Sequence, residues 1–162
     1  MAEERRLTHL DAKGQARMVD ITHKEESVRE AVARGRVRMA PETVRLIDGG
    51  GMPKGDVLSV ARIAGIMAAK RAAETIPLCH PIPLSGVEVK LWTDSSGSVE
   101  IEARVRTRAA TGVEMEALAA VSAAALTVYD MCKAVDREMA ISDIRLVEKR
   151  GGSRGDYVRE EG

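Results

Sequence analysis

At 162 residues the chain is the size of one ordinary domain. Its 25 Lys and Arg equal its 25 Asp and Glu, so no net field draws it to nucleic acid or to a membrane. With no Phe, two Tyr and one Trp, it lacks the stacking platforms that read single-stranded nucleic acid, and its core must be filled by Ala, Val, Leu, Ile and Met.

Two cysteines and an N-terminus without an apolar run fit a reduced, cytoplasmic protein. Up to about Val19 the sequence is polar and reads as a flexible arm. From Lys24 to Arg34, Val28, Ala31 and Val32 recur at helical spacing and predict an extra N-terminal helix. Val37-Arg38-Met39 alternates briefly as a strand, and Pro41 opens a second helical pattern that ends at Gly49-Gly50-Gly51. Asp56 can cap a longer helix running to about Thr75, with Val57, Val60, Ile63, Ala64 and Met67 on one stripe.

Ile76-Pro-Leu-Cys-His-Pro-Ile-Pro83 is the most informative stretch. Its three prolines fix φ near about −65° and push the residues before them out of the α region. Cys79 and His80 are thereby held in a stiff, extended segment, as suits a positioned site; an edge strand or turn with a buried thiol is the plainer alternative. Beyond it Val87, Val89 and Leu91 alternate with polar partners, Asp94-Ser95-Ser96-Gly97 turns the chain, and Val99, Ile101, Ala103 and Val105 alternate again, predicting a β-hairpin. Thr111 and Glu114 have capping-box spacing at the head of an Ala-rich helix reaching about Ala134. Glu114, Glu116, Asp130 and Lys133 argue against a membrane span there. Ile141, Ile144, Leu146 and Val147 predict a last, imperfect strand before a Gly-rich tail, 150–162, read as a second flexible arm. The order matches a single α+β domain of ferredoxin-like βαββαβ type, an antiparallel sheet with helices on one face.

Several residues could carry chemistry. His9, His23, His80, Cys79 and Cys132 lack zinc-ligand spacing, so no metal site is read. Lys54 follows a glycine run and precedes a helix start, a place for an anion, but the phosphate-loop spacing is absent. Asp130 and Lys133 are neighbours on one helical face, either a simple ion pair or a lysine tuned by burial. Glu114 and Glu116, two apart, are not expected to share a face. Glu116 and Asp130 differ in direction by about 40° but are separated by about 21 Å along the axis. If both act on one small substrate, the natural solution is a symmetric dimer in which two copies of the helix pack antiparallel and share the site between subunits.

Met18-Val-Asp-Ile-Thr22, Lys54-Gly-Asp-Val57, Ala61-Arg-Ile-Ala-Gly-Ile66, Ile76-Pro-Leu-Cys-His-Pro81, Thr111-Gly-Val-Glu-Met-Glu-Ala-Leu118 and Leu126-Thr-Val-Tyr-Asp-Met-Cys-Lys-Ala134 occur in that order. Together they resemble the cyclic pyranopterin monophosphate synthases, the molybdenum cofactor biosynthesis accessory protein C family, over about residues 7–158. The resemblance implies a ferredoxin-like fold assembled as a hexamer, a trimer of dimers, with sites at the dimer interface. It implies an enzyme that converts a cyclised dihydro-GTP (3′,8-cyclo-7,8-dihydro-GTP) to cyclic pyranopterin monophosphate and releases pyrophosphate. It places the catalytic groups on Asp130, Lys133 and Lys54. Substrate contacts fall on Leu78, Cys79, His80, Met115, Glu116 and Arg29. Neither nucleic acid nor membrane enters as a partner. No resident cofactor is implied, and Mg²⁺ accompanying the substrate phosphates stays open. The tail Lys149-Arg-Gly-Gly-Ser-Arg-Gly-Asp156 departs from the family pattern, with Ser153 and Arg154 where a lysine and a serine are common. A non-catalytic nucleotide-sensing module on the same fold is the alternative.

Overall fold

The computed structural model describes residues 10–153 and 155–160; His9 and Arg154 lie outside them. Strand β1 (Ser27–Arg38) pairs antiparallel along its whole length with β3 (Ser98–Ala109), from Ser27 opposite Ala109 to Arg38 opposite Ser98. The N-terminal helix expected over 24–34 is therefore corrected to a strand. Ala31, Ala33, Gly35 and Val37 point inward and are buried, while Glu30, Arg34, Arg36 and Arg38 alternate with them. Small inward residues blurred the two-residue period, and buried Val32 supplied a false helical one.

The chain continues through α1 (Pro41–Asp48), α2 (Val57–Lys70), the single turn α3 (Ala72–Thr75), β2 (Gly86–Asp94), β3, α4 (Glu114–Cys132), β4 (Ala140–Arg150) and β5 (Tyr157–Val158). The sheet order is β2-β3-β1-β4-β5 with every neighbouring pair antiparallel. Without the short β5, this is the ferredoxin-like βαββαβ arrangement. The hairpin falls where the alternation placed it. β4 is irregular because its register against β1 shifts twice, and Asp143 takes a positive φ of 58° there.

The Asp56 cap is present: its carboxylate accepts from the Ser59 N–H at 3.0 Å. The expected Thr111 cap is not, since α4 begins at Glu114 with Val113 at the cap position and no side-chain cap bond. On α2 the expected stripe is also corrected. Val57, Ala61, Gly65 and Ala69 are buried, whereas Val60, Ile63 and Met67 are exposed. The inward row of small residues lets α2 lie close on α4. A Cβ at Gly65 would stand 3.0 Å from the Ala120 carbonyl oxygen and 3.3 Å from both Val89 methyls. Likewise, a Cβ at Gly35 would come within 2.7 Å of Val121 Cγ1, so α4 also lies tight on β1.

By length and composition α4 could cross a membrane, but in the fold Ala117, Ala120, Val121, Ala124, Ala125 and Val128 are fully buried. The glycine contact yields a stability prediction. Gly65→Val should force the helices apart and cost about 1–3 kcal/mol, an overpacking penalty. Thermal unfolding would read this as a midpoint lowered by several degrees, and an unchanged midpoint would contradict the close approach.

Candidate active site

One cleft of about 280 Å³ opens beside the N-terminus of α4. Its floor comes from the proline segment, which begins with a turn rather than running wholly extended: the Cys79 N–H donates to the Ile76 carbonyl at 3.1 Å. Past the turn, Thr107 donates its hydroxyl hydrogen to the Pro83 carbonyl, and the Ser85 N–H donates to the Arg106 carbonyl at 2.9 Å, fastening the segment to β3. That anchoring aims Leu78, Cys79 and His80 into the cleft. His80 Nε2 is 2.7 Å from the Val19 carbonyl oxygen. From β1, Arg29 donates to the Ala109 carbonyl at 3.1 Å and the Ala110 carbonyl at 3.3 Å, and it also lines the cleft.

Met115 and Glu116 enter from the first turn of α4. Glu116 is only 3 % exposed. One carboxylate oxygen, Oε1, accepts from the Cys79 thiol at 3.6 Å, while Oε2 is buried with no partner among the described residues. Burial raises the Glu116 pKa above its ordinary value. Burial first, and the Glu116 carboxylate second, push the Cys79 thiol up to about 11. A thiol so held is protonated near neutrality and is not a nucleophile. It serves as a weak donor, and the orphan oxygen is an acceptor waiting for a donor from outside.

At the far end of α4 stands a second cluster. Lys54 reaches across from the glycine-rich loop, its Nζ 2.7 Å from Asp130 Oδ2 and 3.1 Å from the Asp130 carbonyl oxygen. Lys133 Nζ is 2.7 Å from Asp130 Oδ1. Each carboxylate oxygen thus takes one ammonium. Lys133 first and Lys54 second hold the Asp130 pKa down at about 2. In return Asp130 raises the Lys133 pKa above its ordinary value. Of the two readings left open for this lysine, a base made available by burial loses; the half-exposed carboxylate keeps it an ammonium.

The structure gathers Arg29, Leu78, Cys79, His80, Met115 and Glu116 in one cleft, and Lys54, Asp130 and Lys133 in another place. Within one chain the two groups do not meet, since they sit on opposite ends of a helix of 19 residues. Lys24, Lys149 and Glu114 also line the cleft but were not singled out as site residues. Lys24 lies just past the Met18–Thr22 motif and Lys149 opens the tail, so adjacency to those segments was the available signal. Glu114 joins Glu116 despite their spacing because it is the first residue of α4, where the cleft wraps the helix end; its carboxylate is 3.8 Å from Lys149. Ser153, where the family pattern has lysine, lines the same cleft. Among the described residues no three His, Cys, Asp or Glu side chains cluster as a metal would need.

The profile of the MoaC family matches residues 18–152. The chain belongs to the MoaC family. It is 64 % identical over 96 % of its length to a protein of Chloroflexus aggregans named cyclic pyranopterin monophosphate synthase, covering 94 % of that protein. Proteins of the same name from a Roseiflexus species and Heliobacterium modesticaldum are 63 % and 62 % identical over 95 % and 96 % of the chain, each covered to 98 %. The MoaC match takes in every residue lining the cleft except Ser153, and the whole Lys54–Asp130–Lys133 cluster.

The charge pairing in this cluster has a definite pH signature. Asp130 contributes stability above its unfolded value of 3.8, and that contribution is lost as pH falls towards 2. Lys133 contributes below its unfolded value of 10.5 and loses its part as pH rises through the elevated folded value. Asp130→Asn should bring the Lys133 pKa back down, as read by NMR titration of its side-chain nitrogen. An unmoved titration would show that the pair does not form.

Proposed function

We propose that the protein converts 3′,8-cyclo-7,8-dihydro-GTP to cyclic pyranopterin monophosphate with release of pyrophosphate, a step of molybdenum cofactor biosynthesis. The observation that carries this reading is the single cleft holding all six residues assigned to substrate contact. The supporting comparison is a chain 62–64 % identical to proteins named for that synthase. Lys24, Arg29 and Lys149 give the cleft a cationic side suited to a triphosphate. The orphan Glu116 oxygen suits the N–H edge of a guanine-like ring. A non-catalytic nucleotide-sensing role is not favoured, because it would leave the Lys54–Asp130–Lys133 cluster without a task.

In this reading a substrate hydroxyl oxygen bonds to the α-phosphorus as the bridging P–O bond breaks, and pyrophosphate carries away the electron pair. Arg29, Lys54 and His80 stabilise the charge that gathers on the phosphates. Lys133, kept protonated and in place by Asp130, gives its proton in the ring rearrangement and is recharged by the proton that the attacking hydroxyl releases, so that the pair moves protons together. No resident cofactor is assigned, and Mg²⁺ arriving with a triphosphate would be held through phosphate oxygens and water.

The active protein is a homo-oligomer, a hexamer built as a trimer of dimers, with each site shared between two copies. Two features support this. The ends of α4 are about 21 Å apart from Glu116 to Asp130, and Val60, Ile63 and Met67 on α2 and Leu126 on α4 are large apolar side chains left exposed in the single chain. The protein is cytoplasmic, which suits its two free thiols, Cys79 and Cys132. It takes a small-molecule partner and neither nucleic acid nor membrane.

Adding the cyclised intermediate should yield pyrophosphate, with Lys133→Ala slower by roughly 100-fold or more. Release at the normal rate by that variant would refute the acid role. Co-expressed Glu116→Ala and Asp130→Ala chains should regain about a quarter of wild-type activity, the share that random pairing into two-site dimers allows. No recovery would count against shared sites.

A further inference from the structure

The Met18-Val-Asp-Ile-Thr22 segment has no role in the chemistry described so far, yet Val19 and Ile21 from it line the cleft. Val19 and Ile21 are half-buried on the cleft side, and Asp20 and Thr22 are exposed between them. Asp20 folds this segment onto itself. Its Oδ1 accepts from the Thr22 N–H at 2.9 Å and from the Thr22 hydroxyl at 2.6 Å. A third bond, from the Lys24 N–H to the Ile21 carbonyl at 3.0 Å, continues the turn and carries Lys24 to the cleft wall. The Val19 carbonyl that results points at His80 Nε2 from 2.7 Å.

A carbonyl oxygen can only accept. A hydrogen bond to it therefore needs the hydrogen on Nε2, which leaves Nδ1 as the other polar atom of the ring. Among the described residues Nδ1 takes no hydrogen bond. We infer that Asp20 is a positioning residue: by shaping the 19–22 turn it holds His80 through Nε2 and leaves Nδ1 as the atom offered to the substrate. This rests on the cleft being the substrate site proposed above. The oxygen that makes the turn is an acceptor, so asparagine can replace aspartate there and alanine cannot.

The test compares wild type, Asp20→Ala and Asp20→Asn. Asp20 is exposed, and folding of each variant is checked by the dispersion of its NMR spectrum. Long-range ¹H–¹⁵N correlation of the His80 ring should show a protected Nε2–H in wild type and Asp20→Asn, lost to solvent exchange in Asp20→Ala. With the cyclised intermediate, kcat/KM should fall roughly 10- to 100-fold in Asp20→Ala, the scale of a small misplacement, and return in Asp20→Asn. A protected Nε2–H that persists in Asp20→Ala overturns the proposal. So does equal impairment of both variants, which would make the charge and not the turn decisive. The ring readout needs no substrate, so it decides the positioning role even if wild type released no pyrophosphate; that result would instead sink the proposed reaction.

Discussion

Two glycines and a row of alanines decide how near α4 can come to its neighbours, and the placement of everything functional follows from that distance. Gly35 leaves room for Val121, and Gly65 leaves room for the Ala120 backbone. Larger residues at these points would lift α4 off the sheet or push α2 away. With no phenylalanine available, the core is made from short side chains whose packing requires backbones to approach closely. The helix is therefore a fixed rod. One end carries a buried carboxylate with a free oxygen, and the other presents a carboxylate between two ammonium groups.

The two ends are electrostatic opposites in design. Glu116 is removed from water and lacks a full set of partners, so its environment favours the neutral acid or a ligand that supplies donors. Asp130 is half exposed and fully partnered, so its charge is secure. Paired carboxylates in such different surroundings are suited to different tasks. The first is suited to recognition, and the second keeps Lys133 charged and in place. Neither could exchange roles with the other without rebuilding its surroundings.

Much of this was legible in the sequence, for identifiable reasons. The hairpin was clear because Val, Ile and Leu alternate with charged residues over two full strands. Asp56 was clear as a cap because it precedes a helical run directly. The proline segment announced Cys79 and His80 because few other stretches restrict the backbone so strongly. By contrast, β1 was misread because Ala, Arg and Glu favour helices locally, and only its twelve-residue pairing with β3 overrides them. The α2 stripe was misread for a related reason. Hydrophobicity ranks Val60, Ile63 and Met67 above Ala61 and Gly65, whereas close packing prefers the smaller residues inside. Lys24 reaches the cleft through a chain turn, which no periodicity records, and Lys149 through the end of β4, whose pattern is imperfect.

The central claim is that the two ends of α4, from two copies, enclose one substrate molecule. A crystal structure of the Lys54→Ala protein with the cyclised GTP intermediate bound tests it most directly. The account predicts the purine-derived ring against Glu116 of one chain and the same molecule beside Asp130 and Lys133 of a second. A ligand held wholly within one chain, with Asp130 and Lys133 facing solvent, would contradict it.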